Sequence, residues 1–85
     1  MEVIFSRNSQ KDLDSIDSYL RKLFFLHAEK ISANPTKKHL RHGLPFFAEK
    51  VTKQARIVYN FSDESLLILR CFKTHKQYEK WYKKQ

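Results

Sequence analysis

The hydrophobic pattern of the chain changes its period at Pro35, and this change restricts the fold more than any other feature. Before Pro35, apolar residues from Leu13 to Ile31 recur at the three- and four-residue spacing of one helical face. After Pro35 they form short β-prone runs, at 46–51, 56–61 and 66–72, separated by loops of hairpin length. The two patterns together predict an α+β protein in which the main helices precede most of the sheet.

The region before Pro35 predicts one strand and two helices. Val3-Ile4-Phe5 is a short β-prone run, and residues 6–9 after it include Asn and Ser, which can cap a helix. A second capping cluster at 14–18 separates a short helix from a longer one, which we expect to end before Asn34-Pro35. The two helices should pack as a hairpin.

The region after Pro35 predicts a three-stranded antiparallel meander, because consecutive strands are joined by four-residue loops. Leu66-Leu67-Ile68-Leu69 is apolar at every position, as in a central strand that is covered on both faces. From His75 to Lys84, aromatic residues at helical spacing stand among lysines. This tail predicts a short basic amphipathic helix.

A chain of 85 residues is expected to form a single domain, 1–85, because it is too short for two hydrophobic cores. Its one cysteine, Cys71, can form neither an intramolecular disulfide nor a cysteine-based zinc site, which fits a reducing compartment. Neither a signal peptide nor an apolar run of membrane-spanning length is present. We therefore expect a cytoplasmic protein without membrane contact.

The positive charge of the chain is unevenly distributed. Seventeen Lys and Arg residues against nine Asp and Glu give a formal charge of +8. Residues 1–20 hold two of the bases and four of the acids, so residues 21–85 hold fifteen bases and five acids. An excess of this size attracts polyanions, which indicates a nucleic acid or an acidic protein as partner.

Common enzyme signatures are absent from the sequence, which has no G-x-S-x-G, no P-loop and no H-E-x-x-H. His39 and His42 have helical metal-ligand spacing, but without nearby cysteines a solvated basic loop is the better interpretation. His27 lies on the apolar helical stripe and is interpreted as a hydrogen-bonded core or boundary histidine. We expect neither a metal nor a cofactor.

The most informative cluster of polar residues lies on the predicted sheet. In Arg56-Ile57-Val58-Tyr59 the strand period sends Arg56 to the face opposite Ile57 and Tyr59. A hairpin would bring Lys50 and Lys53 near Arg56, and Lys73, His75 and Tyr78 follow the third strand. The cluster can form a site for a polyanion, or it can be an ordinary solvated sheet face that a helix shields.

The order of elements, with Lys50-Val51, Arg56-Ile57-Val58-Tyr59 and residues 65–71, resembles the RelE/ParE superfamily of toxins from type II toxin–antitoxin systems. Within this superfamily, the chain resembles the RelE and YoeB messenger-RNA interferases. Leu40-Arg41-His42-Gly43-Leu44 also resembles the Leu-Lys-His loop of YoeB-like members. The architecture covers the whole chain, whereas the sharper motifs occupy about residues 40–78.

The resemblance implies a toxin that cuts messenger RNA in the ribosomal A site without a metal and so inhibits translation. Its implied partners are the ribosome, messenger RNA and a cognate antitoxin with an acidic segment. By resemblance, Arg56 stabilises the phosphate, His75 acts as general acid or base, Tyr78 stacks on a base or holds the 2′-OH, and Lys50 is a second catalytic cation. Lys53, Arg70, Lys73 and Lys76 are the expected RNA-binding residues.

Two positions depart from the family pattern. One of the two second-strand lysines of RelE corresponds to Ala48 here, and the catalytic carboxylate of YoeB-like members falls near Lys38. The resemblance therefore does not assign the general base to one residue.

Two other function classes stay open at the level of sequence. A ParE-like gyrase inhibitor would share the fold without the residues for RNA cleavage. A non-catalytic basic RNA-binding module would use Tyr78, Trp81 and Tyr82 for stacking on bases.

Overall fold

The computed structural model describes residues 1–35 and 45–85, and the elements follow the predicted order. They are β1 (Glu2–Phe5), α1 (Arg7–Asp14), α2 (Ser18–Ala33), β2 (Phe47–Lys50), β3 (Arg56–Ser62), β4 (Ser65–Phe72) and α3 (His75–Tyr82). The predicted histidine pair His39 and His42, the position near Lys38 and the segment 40–44 lie outside the described residues.

The first two helices begin at the capping clusters that the sequence contains. Ser6 precedes α1, and its Oγ accepts a hydrogen bond from the Ser9 N–H at 3.1 Å. Asp17 precedes α2, and its carboxylate accepts from the Leu20 N–H at 2.7 Å. Such caps satisfy backbone N–H groups that have no partner inside the helix.

The four strands form one sheet in the order β1-β4-β3-β2. The antiparallel pairs β2–β3 and β3–β4 form the predicted meander, while β1 pairs in parallel with β4. A parallel pairing needs a long crossover, which here contains α1 and α2. The apolar strand β4 is central, as predicted.

Helices cover the sheet on both faces, and each face carries its own apolar cluster. The larger cluster lies under α1 and α2 and includes Phe24, Ile57 and Tyr59, which are fully buried. The smaller one lies under α3 and contains Phe46, Ala48, Val58, Phe72 and Tyr78. Because neighbouring strand residues contribute to different clusters, the alternation predicted for β3 is confirmed.

A β-bulge changes the register between β3 and β4. Val58 lies opposite Arg70 and Tyr59 lies opposite Ile68, so that Leu69 is the extra residue. Because directly opposed residues point to the same face, the bulge brings Arg70 to the face of Val58, which is the face that carries α3.

Strand β4 continues beyond the end of its neighbour β1, and Asp12 of α1 lies at the part of the β4 edge that β1 does not cover. β1 pairs only with residues 65–68 of β4. Farther along, the Asp12 carboxylate accepts hydrogen bonds from the Cys71 N–H at 2.9 Å, from Arg70 Nε at 2.8 Å and from Arg70 Nη2 at 2.9 Å. One side chain thus replaces a missing strand neighbour and neutralises a cation.

Cys71 follows Arg70 and is almost completely buried, with 2% of its surface exposed. Burial, together with the negative charge of Asp12, raises the pKa of this thiol to about 12. The thiol is therefore protonated at neutral pH, and Cys71 serves as an apolar core residue.

Replacing Asp12 by alanine should lower the free energy of unfolding by about 2–4 kcal/mol, because a half-buried guanidinium and a strand N–H lose their acceptor. Asp14→Ala, which removes an exposed carboxylate from the same helix, should change it by less than about 0.5 kcal/mol. Urea unfolding of both variants measures the difference. Equal stability of the two variants would contradict the role of Asp12.

Cys71 should resist alkylation by iodoacetamide at pH 8, because a thiol with a pKa near 12 is about 0.01% thiolate at that pH. A Cys71→Ala, Asn8→Cys double variant carries an exposed thiol on α1 and serves as the matched control, which should react at least about a hundredfold faster. Mass spectrometry of timed samples measures both rates. Comparable rates in the folded proteins would show that Cys71 is accessible and ionisable.

Candidate functional site

Lys50, Arg56 and Phe72 form one row across the end of the sheet. Arg56 lies opposite Lys50 in the β2–β3 pair and opposite Phe72 in the β3–β4 pair. All three side chains therefore belong to the face that carries α3. Lys50 is exposed and Arg56 is half-buried, so both cations are accessible at this end of the sheet.

The turn between β2 and β3 holds the guanidinium of Arg56. Arg56 Nη1 donates to the carbonyl oxygens of Lys53 and Ala55, each at 3.1 Å. Thr52 Oγ1 in turn accepts from the Ala55 N–H at 3.0 Å, and this bond fixes the turn. Nε and Nη2 of Arg56 form no hydrogen bond to another described residue, which leaves two edges of a positioned cation for an anionic ligand.

Helix α3 begins at the same end of the sheet, three residues after Phe72. Thr74 caps it by accepting from the Gln77 N–H at 3.1 Å, and the Lys73 N–H donates to Gln77 Oε1 at 3.1 Å. His75 is the first helical residue, and about half of its side chain is exposed. Its Nε2 lies 3.5 Å from Glu79 Oε2, one helical turn later.

Tyr78 is 4% exposed and belongs to the apolar cluster under α3. Its ring centroid lies 6.0 Å from that of Phe72 and 4.9 Å from that of Tyr82. The ring therefore cannot stack on a base unless α3 moves. Its role in RNA binding stays a prediction.

Arg70, a predicted RNA-binding residue, forms a salt bridge with Asp12. The two side chains form a bidentate pair, and the hydrogen bonds that Arg70 donates to Asp12 raise the pKa of Arg70 above its ordinary value. The guanidinium carbon also lies 4.7 Å from the centre of the Phe72 ring. Contact between Arg70 and RNA would require this pair to open, and the predicted role is untested.

The remaining predicted RNA-binding residues, Lys53, Lys73 and Lys76, are exposed and form no ion pair with another described residue. Lys53 lies in the β2–β3 turn, and the other two lie where β4 leads into α3. Together with Lys50 and Arg56 they make up the cationic end of the sheet. This end can bind phosphate, and His75 beside it can transfer a proton.

The opposite end of the sheet is acidic. Asp63 and Glu64 form the tip of the β3–β4 turn, and Glu2 begins β1, where it pairs with Ser65. All three carboxylates are exposed. One end of the sheet is therefore cationic and the other is acidic, and we call this difference the charge polarity of the sheet. In the field of a polyanion, it turns the protein so that the cationic end faces the polyanion.

A second cluster of titratable groups, on the other face of the sheet, was only partly predicted. Glu49 Oε1 lies 3.0 Å from His27 Nε2, and Glu49 Oε2 accepts a hydrogen bond from the Tyr59 hydroxyl. His27 is thus a hydrogen-bonded boundary histidine, as predicted. The sequence pattern could also have located Glu49, because strand alternation puts it on the face of Tyr59 and away from Lys50.

Among residues 1–35 and 45–85, no group of three or more His, Cys, Asp or Glu side chains could hold a metal ion. In the same part of the chain, every helix is too short or too polar to cross a membrane.

No protein-family model matches the chain, and sequence comparison matches it to no curated protein. Structural comparison, in contrast, identifies several solved proteins with the same architecture. The isolated RelE toxin of E. coli aligns over 98% of this chain and 96% of its own, with a TM-score of 0.72 at 17% identity.

Two further structures give similar alignments. The RelB–RelE antitoxin–toxin complex from Methanococcus jannaschii contains a chain that aligns over 93% of this chain and 98% of its own, with a TM-score of 0.69 at 14% identity. The YoeB dimer from Staphylococcus aureus covers 84% of this chain and 93% of its own, with a TM-score of 0.68 at 18% identity. The predicted resemblance is thereby confirmed at the level of architecture, and the chain has the fold of the RelE and YoeB toxins.

Proposed function

We propose that this protein is the toxin of a type II toxin–antitoxin system and that it cleaves messenger RNA on the ribosome without a metal ion. The observation that carries the proposal is the row of Lys50 and Arg56 at the end of the sheet from which α3 and His75 begin. In a RelE fold, this end of the sheet would combine cations that bind phosphate with a group that transfers a proton.

The proposed reaction transfers a phosphoryl group within the RNA chain, from the 5′-oxygen of one nucleotide to the 2′-oxygen of the nucleotide before it. The ribose 2′-oxygen attacks the adjacent phosphorus while the bond from phosphorus to the 5′-oxygen breaks. The proton of the 2′-hydroxyl passes to a base, and the leaving 5′-oxygen receives a proton from an acid. No other reactant is consumed, so the protein has to supply only proton transfer and charge stabilisation.

Arg56 suits the stabilisation of the phosphorane charge. Its guanidinium is permanently charged and planar, and the carbonyl groups of the β2–β3 turn already orient it. A donor oriented before the reaction stabilises developing charge without further reorganisation. Lys50, opposite Arg56, supplies a second positive charge to the same phosphate.

His75 suits proton transfer, because an imidazole can either donate or accept a proton. Its partial exposure allows direct contact with RNA, and Glu79 offers a carboxylate to one ring nitrogen. Tyr78 follows one turn later with its ring centroid 6.1 Å from that of His75. In this proposal, Tyr78 contacts the RNA only after a displacement of α3.

An antitoxin partner is proposed on two grounds. Several structures of the same fold are complexes of a toxin with its antitoxin. At the cationic end of the sheet, Lys50, Lys53 and Lys73 are exposed and form no ion pair with another described residue, so this end is complementary to an acidic protein segment. Such a segment would compete with RNA for the same charges.

Arg56→Ala should reduce A-site cleavage of a ribosome-bound messenger RNA by about 10²–10³-fold, because one preorganised cation is lost. Arg7→Ala, which removes an exposed arginine at the start of α1, is the matched control and should cleave normally. Primer extension on purified initiation complexes measures the cuts, and thermal unfolding verifies that both variants are folded. Undiminished cleavage by folded Arg56→Ala would refute the role of Arg56.

His75→Ala should reduce the same cleavage by about 10²–10⁴-fold and should remove one limb of its pH profile, because a proton-transfer group is lost. His27→Gln, which changes the histidine on the other face, should leave the profile unchanged. Growth arrest in cells provides a second measurement. Full toxicity of His75→Ala without any RNA cuts would favour a gyrase target instead.

A further inference from the structure

Helix α3 has two sharply different faces. Tyr78, Trp81 and Tyr82 face the sheet, where they pack on Phe46 and Phe72 or on one another. With about 100° per residue, Lys76, Lys80 and Lys83 fall within an arc of about 60° on the opposite side. These three residues, the lysine stripe, are all exposed. Lys83 directly follows the last residue of α3 as its C-cap and keeps right-handed helical dihedral angles.

The charges of the lysine stripe are not compensated within the described part of the chain. None of the three lysines forms an ion pair with a described residue. Glu79, the one acid of α3, is paired with His75 instead. Like charges three and four residues apart destabilise an isolated helix, and a bound polyanion would remove this repulsion.

We propose that the lysine stripe binds the phosphate backbone of an RNA strand that continues from the cationic end of the sheet. The stripe extends for about 10 Å along the helix axis, at 1.5 Å per residue. At about 3.4 Å per nucleotide of a stacked strand, this length matches about three successive phosphates. Lys73 lies at the end of β4 and connects the stripe with the candidate site.

The composition of this surface favours RNA over an acidic helical peptide. A peptide helix that docks in a groove needs exposed apolar side chains to bury, whereas the apolar residues of α3 already pack on the sheet. Lysines act as point charges and suit contacts that depend on phosphates and not on base identity. The stripe therefore contributes affinity and orientation, and it leaves the choice of the cleaved bond to other residues.

This inference rests on the proposed function only in taking RNA as the ligand, and binding can be measured without cleavage. The test compares two triple variants that each lower the formal charge from +8 to +5. One is Lys76→Gln, Lys80→Gln, Lys83→Gln on α3. The other is the matched control Lys11→Gln, Lys22→Gln, Lys30→Gln, which removes three exposed lysines from α1 and α2.

The probe is a 20-nucleotide 2′-O-methyl RNA, which lacks the attacking hydroxyl and cannot be cut. Fluorescence anisotropy between 50 and 300 mM KCl gives the slope of log affinity against log salt. The α3 variant should lose about 2 units of slope, at about 0.7 per phosphate contact, and about tenfold or more in affinity at 100 mM KCl. The control variant should lose less than about 0.5 units of this slope.

Equal losses in the two variants would show that only net charge matters and would overturn the inference. The same titrations with poly-glutamate test the alternative partner. A loss confined to poly-glutamate would assign the stripe to an acidic protein and would also overturn it. Circular dichroism verifies that both variants keep their helices.

Failure of the proposed function is distinguishable from failure of the inference. A wild-type protein that binds the probe through the stripe but cuts no messenger RNA on ribosomes would refute only the nuclease function. A wild-type protein that cuts messenger RNA while both triple variants bind the probe equally well would refute only the stripe.

Discussion

The carboxylate of Asp12 completes the sheet where β1 ends, and the geometry of the candidate site depends on this contact. β4 is central, yet its last four residues extend past the end of β1. Asp12 accepts hydrogen bonds from the Cys71 N–H and from Nε and Nη2 of Arg70, so the N–H at the strand edge has an acceptor and the half-buried charge is paired. Phe72 is the last residue of β4. Its ring packs against Trp81 of α3, and it lies opposite Arg56 in the β3–β4 pair.

Covering both faces of the sheet is the second requirement of so short a chain. The helices α1 and α2 bury one face around Tyr59, and the aromatic side of α3 buries the other around Val58. Because α3 packs through aromatic rings, its outer surface is left for lysines. The same helix therefore stabilises the fold and carries positive charge beside the candidate site.

The charge polarity of the sheet links fold to function. The β3–β4 turn is acidic, whereas the β2–β3 turn and the start of α3 are basic. Antiparallel pairing concentrates the basic residues at one end, because both elements lie where β3 begins and β4 ends. A row of two cations next to an exposed histidine then follows from the topology, and it is this combination that supports the proposal of RNA as the substrate.

Much of the fold could be predicted from the sequence, because hydrophobic period, capping residues and hairpin-length loops are local signals. They predicted the order of elements, the two capping clusters that contain Ser6 and Asp17, the central position of β4 and a short basic amphipathic helix at α3. The candidate site was harder to predict, because exposure and pairing depend on residues that are distant in sequence. Arg70 and Tyr78 have the residue types of RNA-binding side chains, yet Asp12, 58 residues from Arg70, pairs with one, and Phe72 and Tyr82 enclose the other. Only the tertiary structure could decide these partners, since the sequence states which charges and rings exist, and three-dimensional packing decides which of them remain exposed.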